Sequence, residues 1–132
     1  IDDTTQSNQL GVAEPGEWEE QHNPGVNIQA TISKAAGAAG VRHICRSISI
    51  SLTNDSGAGI GPITVVLRNG ATGAGIILRT WLISLPDEHS KNIDLAGLNI
   101  FGTAATAMTI EFSAASGANT SQAVGISGYS TI

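Results

Sequence analysis

From position 26 onward, apolar side chains recur at every second residue, in runs cut by clusters of glycine, asparagine, serine and proline. Val26, Ile28, Ala30 and Ile32 alternate with Asn27, Gln29, Thr31 and Ser33. A period of two puts alternate side chains on opposite faces of a pleated strand, one for a core and one for solvent or a neighbour. The clearest run is Val41 to Thr53, with Ile44, Ile48, Ile50 and Leu52 on one face and His43, Cys45, Ser47, Ser49 and Ser51 on the other. Further runs cover 63–68, 76–85, 92–95, 98–101, 106–114 and 123–129. The run 76–85 is apolar on both sides and contains Trp81, which predicts a central strand covered on both faces. Glu111 is an acid inside a strand pattern, between Ile110 and Phe112.

The connections agree with this reading. Residues 54–62 form a turn-rich loop, Asn69-Gly70 is a hairpin signal lengthened by Ala71 to Gly75, and Pro86 to Ser90 closes the next run. Ala35 to Gly40 contains alanines, but its two glycines and missing N-cap argue for a loop over a helix. The fold class expected is all-β: an antiparallel β-sandwich, jelly-roll-like, of about eight strands, since turns recur at roughly strand-length spacing. An immunoglobulin-like sandwich ranks second, because the Cys, Trp, Cys spacing of those domains is absent.

At 132 residues the chain suits one domain, which by area scaling buries about two-thirds of its unfolded surface without disulfides or metal. The lone Cys45 has no internal partner and reads as a small half-buried thiol. Charge is unevenly placed: six acids precede the first base, Lys34, and the remaining five acids face six bases. Residues 1–25 therefore read as an extended acidic N-terminal arm and residues 26–132 as the sandwich domain. Trp18, set among Glu17, Glu19 and Glu20, is either a docking anchor or a residue folded back on its own domain. Arg42, Arg46, Arg68 and Arg79 are scattered singly, so no basic stripe for nucleic acid is expected. No apolar run is long enough to span a bilayer and no signal-peptide pattern opens the sequence as it stands, so no membrane partner is expected.

Motifs for chemistry are sparse. Gly57-Ala58-Gly59-Ile60-Gly61 lacks the Gly-Lys-Ser/Thr ending of a phosphate loop and precedes a strand, not a helix. His22, His43 and His89 have no metal-ligand spacing, so no metal or other cofactor is expected. No Gly-x-Ser-x-Gly elbow is present, and Glu111 alone is not the carboxylate pair of a glycosidase. The chain reads as non-enzymatic. For sugar recognition, the aromatics left over from the expected core are Trp18 and Tyr129.

Several stretches carry a resemblance: Arg42-His43-Ile44-Cys45 opening a serine-rich strand, Val66 to Leu78, Leu95-Ala96-Gly97-Leu98, Ala107 to Phe112, and Gly125-Ile126-Ser127-Gly128-Tyr129. Over residues 26–132 the chain resembles small tailed-bacteriophage virion accessory proteins, β-sandwiches of the head decoration (cement) or tail-fibre type. The resemblance implies a capsid-stabilising protein, a homo-oligomer with a trimer favoured, whose partner is the major capsid protein or another virion protein. It implies a virion location, after assembly in the host cytoplasm. The alternative is a glycan- or receptor-binding head of a tail fibre. Interface candidates are Glu17, Trp18, Glu19, Glu20, His43 and Tyr129.

Overall fold

The computed structural model describes residues 16–132. These form an all-β sandwich of strands β1 (Gly16–His22), β2 (Thr31–Lys34), β3 (Arg42–Asn54), β4 (Ile60–Asn69), β5 (Ile76–Leu85), β6 (His89–Leu95), β7 (Ile100–Phe101), β8 (Met108–Phe112) and β9 (Thr120–Thr131). One sheet has the order β1-β9-β3-β6, with β7 also on β3, and the other has the order β2-β8-β4-β5. All pairings are antiparallel. The pairs β1 with β9, β2 with β8, β3 with β6 and β4 with β5 are nested like a single long hairpin. Wrapping that hairpin on itself brings β9 beside β3 and β8 beside β4, which is the jelly roll.

The core lies between the sheets. Ile48, Ile50 and Leu52 of β3 and Val124 and Ile126 of β9 face Val65 and Leu67 of β4 and Met108, Ile110 and Phe112 of β8. These side chains are 3% exposed or less. Full burial of each is worth roughly 1.5–3 kcal/mol, so close packing of short aliphatic residues does the work that disulfides do in smaller domains.

Four expectations need adjustment, each for a physical reason. The face assignment on β3 is interrupted: the register with β9 shifts between Cys45 and Ser47, leaving Arg46 as the bulged residue. A bulge inserts one residue and reverses side-chain parity. Hence His43 and Cys45 share the inner face with Ile48, Ile50 and Leu52, while Ile44 is buried outside the main core, in a rung with Tyr129 and Phe101.

The strand expected from Val26 begins only at Thr31. Asn27 takes a positive φ of 58° and its N–H donates to Thr120 O, so this stretch is a turn, with Val26 and Ile28 more than half exposed.

β5 is an edge strand, not a central one. Apolar residues on both faces suit a strand covered by its own fold equally well as one whose outer face awaits something else. Finally, part of the stretch assigned to the arm is strand β1, paired with β9 from Gly16↔Ser130 to His22↔Val124. Within it Trp18, Glu20 and His22 are half-buried and Glu17, Glu19 and Gln21 exposed, a two-residue period hidden by the acidic composition. Residues 1–15 of that arm lie outside the described residues.

Two glycines on β9 test the closeness of the β3–β9 pairing. A Cβ on Gly128 would collide with the carbonyl of Ile44, whereas one on Gly125 would meet Ser49 Cβ at 3.6 Å, an ordinary contact. Gly128→Ala is expected to cost about 3 kcal/mol or more, because backbone must move. Gly125→Ala should leave the urea midpoint nearly unchanged, and equal effects of the two would refute the register.

Candidate functional site

The outer face of the β1-β9-β3-β6 sheet carries a groove of about 630 Å³. Its shape follows from side-chain length across the register. Gln21, Gly125, Ser49 and Asp94 form one rung across four strands; Glu19, Ser127 and Ser47 form the next; Ala123, Ser51 and Asn92 a third. Central positions hold glycine, alanine and serine, while the edge strands hold glutamate, glutamine, asparagine and aspartate. Short side chains in the middle and long ones at the rims leave a trough.

Ser47 and Ser127 hydroxyls hydrogen-bond each other across the floor, and Ser51 Oγ donates to Asn92 Oδ1 at 2.8 Å. The lining contains two carboxylates, Glu19 and Asp94, and neither lysine, arginine nor an aromatic ring. A second depression of about 620 Å³ adjoins one end and shares Glu19 and Ser127. It adds Glu17, Trp18 and Arg46, whose guanidinium lies 5.2 Å from the Tyr129 ring centre.

Of the interface candidates, Glu17 and Glu19 are exposed on β1, and Glu19 lines the groove. Glu20 and Tyr129 are half-buried. Trp18 packs against the core, edge-on to His43 with ring centres 5.6 Å apart, and Lys34 Nζ is 5.9 Å from the indole centre. Trp18 thus turns back on its own domain while also lining the second depression. Its indole Nε1 is buried and finds no hydrogen-bond partner among the described residues.

His43 is wholly buried, so it presents no surface to a partner. Its Nε2 is 2.7 Å from Ala35 O and its Nδ1 2.6 Å from Ser130 Oγ. A carbonyl can only accept, so a neutral ring donates from Nε2 to Ala35 O and accepts the hydrogen bond of the Ser130 hydroxyl at Nδ1. His43 thereby pins the Ala35 loop against β9.

On the opposite sheet, Glu111 is 2% exposed and works as a clasp. Its Oε2 accepts from Arg68 Nε at 2.6 Å and from Gly73 N at 3.0 Å, and its Oε1 accepts from Thr31 Oγ1 at 3.0 Å. Arg68 also donates to Gly75 O at 2.8 Å. The β4–β5 connection is thus folded over the outer face of its sheet. That closeness depends on glycine: a Cβ on Gly70 would lie 2.6 Å from Gly75 Cα.

Among the described residues, no three His, Cys, Asp or Glu side chains are grouped to hold a metal ion. Among those same residues no helix is long and apolar enough to cross a membrane. Burial pushes the Cys45 thiol up to about 11, partly opposed by a weaker backbone hydrogen bond at Ser47.

The sequence reading missed most of the groove. The Ser47, Ser49, Ser51 alternation was visible and marks its floor, but Gln21, Asn92 and Asp94 come from strands far apart in sequence, and only the register unites them.

No protein-family model matches the chain, and the search of curated proteins finds no match. Among solved structures the chain is similar to the CPMV top component (15% identity, 95% of this chain and 86% of that one, TM-score 0.41). It is also similar to the family 11 carbohydrate-binding module from Clostridium thermocellum, in complex with a β-1,3-1,4-mixed-linked tetrasaccharide (14%, 96% and 92%, TM-score 0.31). A third likeness is to an exo-β-1,3-galactanase from Phanerochaete chrysosporium (13%, 89% of this chain, TM-score 0.40), of which the chain spans 30% of the length. At such identities and TM-scores, none of these likenesses assigns a residue role or a ligand to this chain.

Two outcomes are expected. Glu111→Ala strands the Arg68 guanidinium and frees the 70–75 connection, at a cost of about 3 kcal/mol for breaking a buried pair whose base is partly exposed; hydrogen exchange at the Gly73 amide should accelerate. Cys45 should resist thiol reagents at pH 8 in the folded protein and react on denaturation. Because the folded thiol holds its proton to higher pH than the unfolded one, stability should fall as pH rises from about 9 to about 11. An unchanged urea midpoint across that window would contradict the burial.

Proposed function

We propose that this chain is a non-enzymatic structural subunit of a virion, a capsid decoration or cement protein that acts through its interfaces. The observation that carries this reading is the edge of the second sheet. β5 is ten residues long and pairs on one side with β4, with no strand on its other side among the described residues. It displays Ile76, Ile77 and Leu82 at 72%, 50% and 71% exposure. A long apolar edge with unpaired N–H and C=O groups is a template for another chain, and proteins that remain single protect such edges with charge, proline or a covering loop. On β5 the outward residues are instead hydrophobic, apart from Arg79 and small hydroxyl-bearing residues.

The opposite end of the sandwich suits a second kind of contact. β1 presents Glu17 and Glu19 outward, so a basic patch on a capsid protein would be drawn to it. The resemblance to phage accessory proteins supplies the partner, a major capsid protein, and favours a trimer; the virion is the location that follows.

A second reading, the glycan- or receptor-binding head of a tail fibre, is favoured by the groove on the β1-β9-β3-β6 face. It is compatible with association through β5, which belongs to the other sheet.

The test is the solution mass of the protein by light scattering, with occupancy on capsids. The wild type should be oligomeric, and Leu82→Lys with Ile77→Lys should give a folded monomer that no longer decorates particles. A wild-type protein that stays monomeric at high concentration and leaves capsids undecorated would refute the assembly reading.

A further inference from the structure

We infer that the groove on the β1-β9-β3-β6 face is a binding site for an uncharged oligosaccharide, held edge-on by Glu19, Gln21, Asn92 and Asp94 over a floor of Ser49 and Gly125. This deepens the glycan-binding reading and rests on it. Three features argue for that class of ligand.

The first is chemical. The rims carry carboxylates and carboxamides, groups that accept or exchange hydrogen bonds in pairs, as vicinal sugar hydroxyls require. A hydroxyl donating to a carboxylate makes a charge-assisted bond, roughly twice as strong as a neutral one.

The second is electrostatic. Two carboxylates and no cation line the groove. A phosphorylated, sulfated or carboxylated ligand would meet like charge in a partly desolvated trough, which disfavours nucleic acids and acidic glycans. Arg46, at the end of the adjoining depression, is engaged over Tyr129.

The third is steric. The floor rung holds no side chain larger than serine, so a flat ring can approach the sheet closely, and a Cβ on Gly125 would begin to fill that space. The strand-length run of the trough, over three consecutive outward rungs, fits a chain of sugars better than a single one. An extended peptide could not add to the sheet here as a further strand, because the floor strands β3 and β9 are already paired on both sides.

The experiment is a binding screen of the full chain against neutral and acidic oligosaccharides of matched length, followed by titration calorimetry on the hits. Neutral chains should bind and acidic ones should not. Gly125→Val, which blocks the floor without removing a polar group, and Asp94→Leu, which removes a rim acceptor, should each weaken binding at least about tenfold, for Asp94 the worth of one charge-assisted hydrogen bond. Tyr129→Ala, outside the groove lining, should bind as the wild type does. Thermal melts confirm that each variant is folded, and because the two groove variants act by different means, loss in both is not a folding artefact. Binding of acidic glycans alone overturns the ligand class. Neutral binding abolished by Tyr129→Ala and untouched by the groove variants overturns the site but leaves glycan recognition standing. No binding by any oligosaccharide overturns both.

Discussion

Twelve rungs of antiparallel pairing between β3 and β9 hold this protein together. They join an early segment to the last one, and each remaining strand is positioned by reference to them. β1 adds to the outer side of β9, β6 and β7 to the outer side of β3, and the inward residues of the two long strands lay half of the core. Most contacts of the fold therefore close large loops. Such loops cost more entropy to form than local turns do, so folding is expected to be slow relative to a helical chain of the same length. Gly128 matters because it sits in this pairing, against the backbone of Ile44.

The sequence conveys the architecture well and the local irregularities poorly. Period-two runs and turn residues are properties of single strands, and they survive in the sequence unaided, which is why an antiparallel jelly roll was legible. A bulge is a property of two strands. Arg46 has no composition signal, yet it moves His43 and Cys45 inward and Ile44 outward, reversing the face expected for all three. The groove is harder still, since its rungs join residues from four strands and only Ser47, Ser49 and Ser51 announce a polar small-residue face. β1 is obscured for a different reason: its outward residues are polar, Glu17, Glu19 and Gln21, and its inward ones include Glu20 and His22, so hydropathy alternation is weak although exposure alternates cleanly.

The two sheets divide the surface between unlike chemistries. The β2-β8-β4-β5 sheet covers part of its outer face with the 70–75 connection, clasped by Glu111, and leaves an apolar edge at β5. The β1-β9-β3-β6 sheet leaves its outer face open, polar and acidic. Buried polar groups in this fold concentrate where a loop must be tied down: Glu111 for the 70–75 connection, His43 for the Ala35 loop, and Asn54, whose amide donates to Ala58 O and Pro86 O, for two turns at one end. Each is satisfied, in keeping with the cost of leaving a buried polar atom unpaired.

That division decides how association and recognition can coexist in so small a domain. Contacts made through β5 would extend a sheet sideways, by backbone pairing that any strand could offer, with specificity left to Ile77 and Leu82. Contacts made through the groove cannot use backbone, because the strands beneath it are already paired, and must be made by side chains whose spacing is set by the register. An interface of the first kind tolerates changes of sequence that preserve hydrophobicity, while a site of the second kind fails with the loss of one rim residue. The edge is therefore suited to backbone pairing and the groove to side-chain contacts, and the two could coexist because a sheet's edge and its face do not compete for the same atoms.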